Sequence, residues 1–365
     1  MRRFQQAAFS ALIAILIVCM PAMADVRIGQ VKLSSKKINL VKFGIMNISG
    51  DGKIVTCYEK VSDLKLKQKG FVFKLWIFEF MGETRDDVKI SEVLLPLTEF
   101  QTMALSDDGR TGIITGNRGA KFLKVDIPSR TVTVLFDHKK GAPGFRSDEG
   151  ILNYLQEKFL SWGYFYNNED LVTKRAIAMI DPAKTGADVF QPAFDTGPFE
   201  KRYYNSRYIE WVSKNQCFVI GRKKGAKEQT LAFYDNGTLK ELEKAPQFKT
   251  AAAAGSRVVY CMAHQKDKTE VYLKDAASGK SWKLNPDEKL YSYLFISKNQ
   301  KTAVIANIEV RANRMSYYYA TEKDDFKIKP VAALQNQPMN QLRLAAFGKA
   351  YVTFNGNEIY WGKLE

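Results

Sequence analysis

Two histidines, His138 and His264, are the whole imidazole supply of this 365-residue chain. Catalysis near neutral pH draws on His more than on any other side chain, as general base or as metal ligand. Two such residues, each read as lying in a loop, cannot build a histidine-rich metal centre. The G-x-S-x-G elbow of acyl transfer is absent, and so are the P-loop, G-x-G-x-x-G and H-E-x-x-H spacings. Of four cysteines, Cys57, Cys217 and Cys261 sit in apolar runs ("IVTCY", "CFVIG", "VVYCM"), where cysteine behaves as a small buried hydrophobe, and no C-x-x-C pair occurs. No catalytic set, metal or cofactor is implied. Carboxylate-only calcium or glycoside chemistry stays open, because its residues would come from distant segments.

Cationic side chains are what the chain has in excess. Lys and Arg number 55 against 39 Asp and Glu, a formal net charge of +16. They come in runs. "GRKKGAK" (221–227) holds Arg222, Lys223, Lys224 and Lys227, and "EVRANR" (309–314) holds Arg311 and Arg314. "EKRYYNSR" (200–207) holds Lys201, Arg202 and Arg207 beside Tyr203 and Tyr204, with Tyr208 following. Clustered guanidinium and ammonium groups interleaved with tyrosine suit charge-assisted binding of carboxylates, sulfates or phosphates. The plainer alternative is a set of lysine-rich loops that serve solubility alone.

The N-terminus narrows the choice of anion. Arg2 and Arg3 precede the apolar run Ala11–Met20, and Ala22-Met23-Ala24 reads as a cleavage site. Residues 1–24 are therefore expected to be a signal peptide, and 25–365 a single exported domain, periplasmic or secreted. Loss of Arg2 and Arg3 takes the net charge from +16 to +14. No later stretch is long and apolar enough to span a membrane as a helix. Export disfavours nucleic acid, leaving an acidic protein, an envelope glycan or anionic lipid headgroups as partners.

The elements that must position these runs are read from a repeat. Short polar knots begin at Ser49, Ser106, Ser161, Ser213, Ala253, Ser297 and Ala345, spaced by 57, 55, 52, 40, 44 and 48 residues. An apolar strand A precedes each knot, and a nearly continuous apolar strand B follows, as "KIVTCYE" and "TAVIAN". Strand C alternates and ends near an aspartate (Asp126, Asp181, Asp235, Asp275) placed to close a turn with its own side chain. Strand D returns as "TVTVLF", "ADVF", "LKEL" or "SWKL". Four-stranded units at this period predict an all-β chain, a seven-bladed β-propeller. The last unit lacks a D strand, and "DVRIGQVKLSS" (25–35) is a lone strand able to supply it beside "NEIYWGKL" (357–364). The third unit, 146–167, reads either as strands A and B or as a helix that reduces the count to six.

"SGDGK" (49–53), "SDDGR" (106–110) and "SKNQK" (297–301) resemble the Ser-Pro-Asp-Gly-Lys turn of the TolB-type, WD-like propeller repeat, without its proline. "VYLKDAASGKSWKL" (271–284) resembles that family's C–D hairpin. The resemblance implies a propeller whose exported members are commonly protein-binding scaffolds, others being enzymes. In such a disc the B–C and D–A loops share one face, which collects the runs 59–70, 138–146, 200–207, 221–227, 264–268 and 309–314. Two function classes follow. One is a non-catalytic binding module that uses this basic face; the other is a lyase or hydrolase acting on an acidic polysaccharide or small ester from the central channel.

Overall fold

The computed structural model describes residues 28–32, 46–61, 67, 72–82, 87–139, 142–155, 157–195, 204–213, 215–265, 268–285, 287, 289–335, 337–338, 342–355 and 358–364. The expected signal peptide lies outside them. The strands form seven antiparallel sheets, six running A-B-C-D in sequence order and the seventh taking its fourth strand from the N-terminus. Blade I is β2 (Met46–Ile48), β3 (Ile54–Lys60), β4 (Phe73–Phe80) and β5 (Val88–Leu95). Blade II is β6 (Phe100–Leu105), β7 (Thr111–Gly116), β8 (Lys121–Asp126) and β9 (Thr131–Asp137). Blade III is β10 (Gly144–Leu155), β11 (Lys158–Tyr166), β12 (Val172–Ile180) and β13 (Phe190–Asp195). Blade IV is β14 (Tyr204–Ser213), β15 (Gln216–Arg222), β16 (Gln229–Asp235) and β17 (Thr238–Ala245).

Blade V is β18 (Phe248–Ala254), β19 (Arg257–Gln265), β20 (Lys268–Asp275) and β21 (Ser281–Lys283). Blade VI is β22 (Tyr291–Ile296), β23 (Thr302–Glu309), β24 (Arg314–Thr321) and β25 (Ile328–Pro330), with the short β26 (Gln337–Pro338) also on β24. Blade VII is β27 (Arg343–Leu344), β28 (Ala350–Asn355) and β29 (Glu358–Lys363), completed by the N-terminal β1 (Ile28–Lys32). The β1–β29 register runs from Ile28 opposite Gly362 to Lys32 opposite Glu358. The ring closes as the lone strand suggested, and seven blades result. Residues 144–155 and 158–166 are strands, so the helical alternative for the third unit does not hold.

The knots repeat because their chemistry is local. Ser49 Oγ donates to Asp51 Oδ1 at 2.5 Å and accepts from the Ile54 amide at 3.0 Å, while the Lys53 amide also reaches Asp51. Ser106, Asp108, Arg110 and Thr111 repeat this set, as do Ser297, Asn299, Lys301 and Thr302. A serine five residues before the start of strand B and an Asx two residues after that serine thus satisfy the turn's backbone donors internally. Gly52 and Gly109 supply the positive φ, at 81° and 69°.

The cores lie between blades, which explains the continuous apolar character of strand B. Along β19, Val258, Tyr260 and Met262 pack toward blade IV, whereas Val259 and Cys261 pack toward blade VI. In β23, Ala303 and Ile305 face blade V, while Val304 and Ala306 face blade VII. Each B strand is buried on both faces, so both alternate sets must be apolar. The seam blade is held to blade I by Trp361, whose Nε1 donates to the Gly52 carbonyl at 2.7 Å while its ring stacks on Phe80 at 5.3 Å.

Several local expectations are corrected. The third A–B turn falls between β10 and β11, after Leu155 and before Lys158; Ser161 is a buried residue inside β11, opposite Leu152. "ADVF" is not strand D: residues 186–189 form a 3₁₀ turn entered through Gly186 at φ 73°, and D begins at Phe190. Asp181 and Asp275 accept from the amides two residues on, and Asp126 from the Ser129 amide. Asp235 instead accepts from the Gln216 and Asn236 side-chain amides, because Asn236-Gly237, with φ 45° and 92°, already closes a two-residue hairpin. His264 falls within β19 and not in a loop.

Candidate functional site

The sheet topology places the β15–β16 and β23–β24 loops on one face of the disc. The first is a tight turn in which the Ala226 amide donates to the Lys223 carbonyl at 3.0 Å, with Gly225 at φ 81° and no atom close to it. That geometry projects Arg222, Lys224 and Lys227 into solvent, all exposed. Lys223 turns back instead and pairs with Glu241 of β17, to which Lys244 also lies at 3.7 Å. Lys223 is therefore largely spent inside its own blade. The second loop is a 3₁₀ turn, Val310–Ala312, closed by Asn313 in the left-handed region. It carries Arg311 and Arg314, both exposed.

The topology puts two of the three runs that carry the named candidates on the same face, two blades apart. Lys201 and Arg202 lie outside the described residues, and Arg207 falls in β14 with its side chain outside the description. Among the described residues, Arg222, Lys224, Lys227, Arg311 and Arg314 have no ion-pair partner. Free guanidinium and ammonium groups on one plane attract a polyanion without needing a deep pocket.

Nearby, the D–A loop between blades II and III carries His138, whose side chain is 8% exposed and whose Nε2 is 3.7 Å from Asp170 Oδ1. Its ring borders Phe136 and Tyr166. That is a packed histidine beside a carboxylate, too long for a hydrogen bond. Among the described residues no group of three His, Cys, Asp or Glu is placed to hold a metal ion.

The opposite face contains an arrangement that sequence reasoning missed. Lys298, second residue of the blade VI knot, pairs with Asp107, second residue of the blade II knot, and its ammonium lies 4.9 Å over the Tyr154 ring. Blades II and VI are three steps apart around the ring, so these side chains meet across the mouth of the axial channel. Hydrogen bonds join the knots around the same rim: the Arg257 guanidinium of blade V donates to the Gln300 carbonyl, and backbone amides donate from Lys298 to Ala346, Phe347 to Gly50 and Asp51 to Asp107. A Cβ on Gly50 would come within 2.7 Å of Asp107. The rim is continuous from blade V through the seam to blade II. Beyond it, between blades II and III, a cavity of about 350 Å³ opens, lined by Asp108, Tyr154, Glu157 and Asp181 among others. The one available signal was opposite charge at equivalent knot positions, Asp107 and Lys298, where the family turn has proline.

Comparison with known proteins addresses the fold. No family model matches the chain, and no curated protein matches it in sequence. Solved structures do. The β-propeller domain of the trilobed protease from Pyrococcus furiosus superposes with a TM-score of 0.54 at 12% identity, covering 89% of this chain and 98% of that one. The chain has the β-propeller fold. Oligogalacturonate lyase from Vibrio parahaemolyticus gives 0.53 at 10% identity, over 93% and 97% of the two chains. A Pyrococcus horikoshii acylaminoacyl peptidase gives 0.53 at 12%, over 85% of this propeller and 48% of the peptidase. The trilobed protease propeller is described with an open velcro topology; here β1 on β29 closes the ring. At these identities the likeness extends to fold and no further.

Proposed function

We propose that the protein is an exported, non-catalytic propeller that uses its cationic loop face to bind an anionic partner. The observation that carries this reading is the set Arg222, Lys224, Lys227, Arg311 and Arg314, exposed on one face and without ion-pair partners among the described residues. The two loops, some ninety positions apart in sequence, share that face only because of the ring topology. Exposed charges act over a Debye length of about 8 Å at physiological salt, so several must act together and binding must weaken as salt rises. The lyase and peptidases among the solved structures share the fold, and fold alone transfers no activity.

The test is retention on immobilised heparin of the parent and of Arg222→Glu/Lys224→Glu/Lys227→Glu. The control reverses Lys301, Lys323 and Lys327, exposed on the opposite face, for the same change in net charge. Loss confined to the first variant supports the reading. Equal loss in both means a net-charge effect and contradicts it.

A further inference from the structure

Six large apolar side chains stand out in solvent among the described residues, and three of them crown the cationic face. Val310 is 64% exposed at the tip of the β23–β24 loop, next to Arg311 and four residues before Arg314. Leu171 and Val172, 57% and 53% exposed, occupy the equivalent position in blade III, at the β11–β12 loop. Of the others, Met81 belongs to the opposite face, and Ile90 and Val134 to outer D strands. Scattered exposed hydrophobes need no explanation. Apolar tips rising from a plane of free Arg and Lys are a narrower pattern.

We infer that the anionic partner is a lipid surface, met by the cationic face with Val310 and, on the far side of the ring, Leu171 and Val172 dipping into the headgroup layer. This rests on the proposed function and chooses among its partners. A sulfated glycan or an acidic, fully hydrated protein segment offers charge but no apolar layer for aliphatic tips. An anionic bilayer offers both, the charge at the headgroups and the hydrocarbon just beneath.

Geometry favours the match as well. Blades III and VI lie three steps apart, so the two tips are widely separated supports on one plane, and the blade IV loop with Arg222, Lys224 and Lys227 lies on that same face. The tips are held by closed turns. Asn167 Oδ1 accepts from the Glu169 and Leu171 amides at 2.9 and 3.0 Å, and the Asn313 amide donates to the Val310 carbonyl at 3.2 Å. One feature opposes docking at blade III: Glu169 is exposed beside Leu171. Val310 likewise follows an exposed carboxylate, Glu309, but Arg311 and Arg314 stand on its other side, and it therefore carries the larger share.

The experiment is co-sedimentation with vesicles of phosphatidylglycerol and phosphatidylcholine, and of phosphatidylcholine alone, run beside heparin retention. The variants are Val310→Ser, the triple Leu171→Ser/Val172→Ser/Val310→Ser, and Met81→Ser as the opposite-face control. All these positions are exposed, and unchanged thermal melts verify folding. Val310→Ser should lose about tenfold in vesicle affinity, the scale of burying one aliphatic side chain, and the triple variant more. Heparin retention and the Met81→Ser variant should match the parent, and phosphatidylcholine alone should bind weakly. Parent-like vesicle binding by the triple variant overturns the lipid assignment. So does a parent that is held by heparin but not by anionic vesicles, and that result leaves the polyanion reading standing. A parent retained by neither overturns both.

Discussion

The two faces of this disc are built on opposite principles. On the knot face, one turn chemistry recurs: Ser, Asx, and the amide five residues on. Consecutive knots are joined to each other from blade V across the seam to blade II. On the loop face the described turns of blades III, IV and VI differ from one another. Blade IV uses a glycine turn, blade VI a 3₁₀ turn ended by asparagine, and blade III an Asx turn. A surface that closes a ring must make the same contact at each step. A surface that binds is free to differ from blade to blade, and here it differs by gathering cations and apolar tips.

Breaking the closure gives the largest expected effect. Removal of residues 358–364 deletes β29, the only described strand to which β1 is paired, and exposes two edges and the Trp361 site. A single cooperative loss of structure is expected in far-UV circular dichroism, whereas a melt at the parent temperature excludes a closed ring. Next in size is Ser106→Ala. Ser106 is 5% exposed, and losing its hydroxyl strands the Thr111 amide while freeing Asp108. A loss of about 2 kcal/mol is expected by urea denaturation, the cost of one buried unsatisfied donor. No loss would mean that the knot is decoration.

The clasp across the channel sharpens the contrast at smaller scale. In a double-mutant cycle between Asp107→Ala and Lys298→Ala, coupling of about 1 kcal/mol is expected, since both side chains are about three-quarters buried. Additive losses would show that the two residues do not act on each other. Zero-length carbodiimide treatment should join peptides containing residues 107 and 298, which lie 191 positions apart.

Smaller still is an acid effect confined to the turns. The Ser129 hydroxyl and amide hold the Asp126 carboxyl below the usual carboxylate range. At Asp108, burial works the other way, but the Ser106 hydroxyl and the Arg110 amide and charge outweigh it. Both folded-state values lie below the unfolded ones. Their stabilisation is therefore full above the ordinary Asp pKa of about 3.9 and is lost as pH falls through the lower folded values. Asp126→Asn should flatten the stability profile below about pH 4; an unchanged slope contradicts this. The thiols should do nothing visible. Cys57, Cys217 and Cys261 are unbridged and buried, and burial pushes the Cys217 thiol up to about 12 and the Cys261 thiol up to about 11. A disulfide-exchange reagent should find them unreactive until the fold is opened, and reaction of the native protein would argue against this packing.

Much of the knot face was legible in the sequence because its contacts are short-range. Ser49, Ser106 and Ser297 each announce a turn within five residues, and "SRYIEWVS" and "TAVIAN" announce the strands beside it. Legibility failed where a turn lacks that serine. The turn between β10 and β11 carries no such mark, and the repeat spacing points instead to Ser161, in the middle of a strand; Gly186 likewise hides a 3₁₀ turn inside "ADVF". The clasp was out of reach altogether, since nothing local couples Asp107 to Lys298. On the loop face, sequence together with the propeller topology puts Arg222, Lys224, Lys227, Arg311 and Arg314 on one side of the disc. It could not tell that Lys223 is turned inward to Glu241, or that Val310 and Leu171 project among the cations.

The central claim, that binding belongs to the loop face and closure to the knot face, is tested most directly by amine footprinting. The protein is acetylated briefly with and without saturating heparin fragments, and the modification of each lysine is read by mass spectrometry. Heparin should slow acetylation of Lys224 and Lys227 several-fold and leave Lys301, Lys323 and Lys327, all exposed on the other face, unchanged. Equal protection of both sets, or protection of the knot-face lysines alone, would contradict the account.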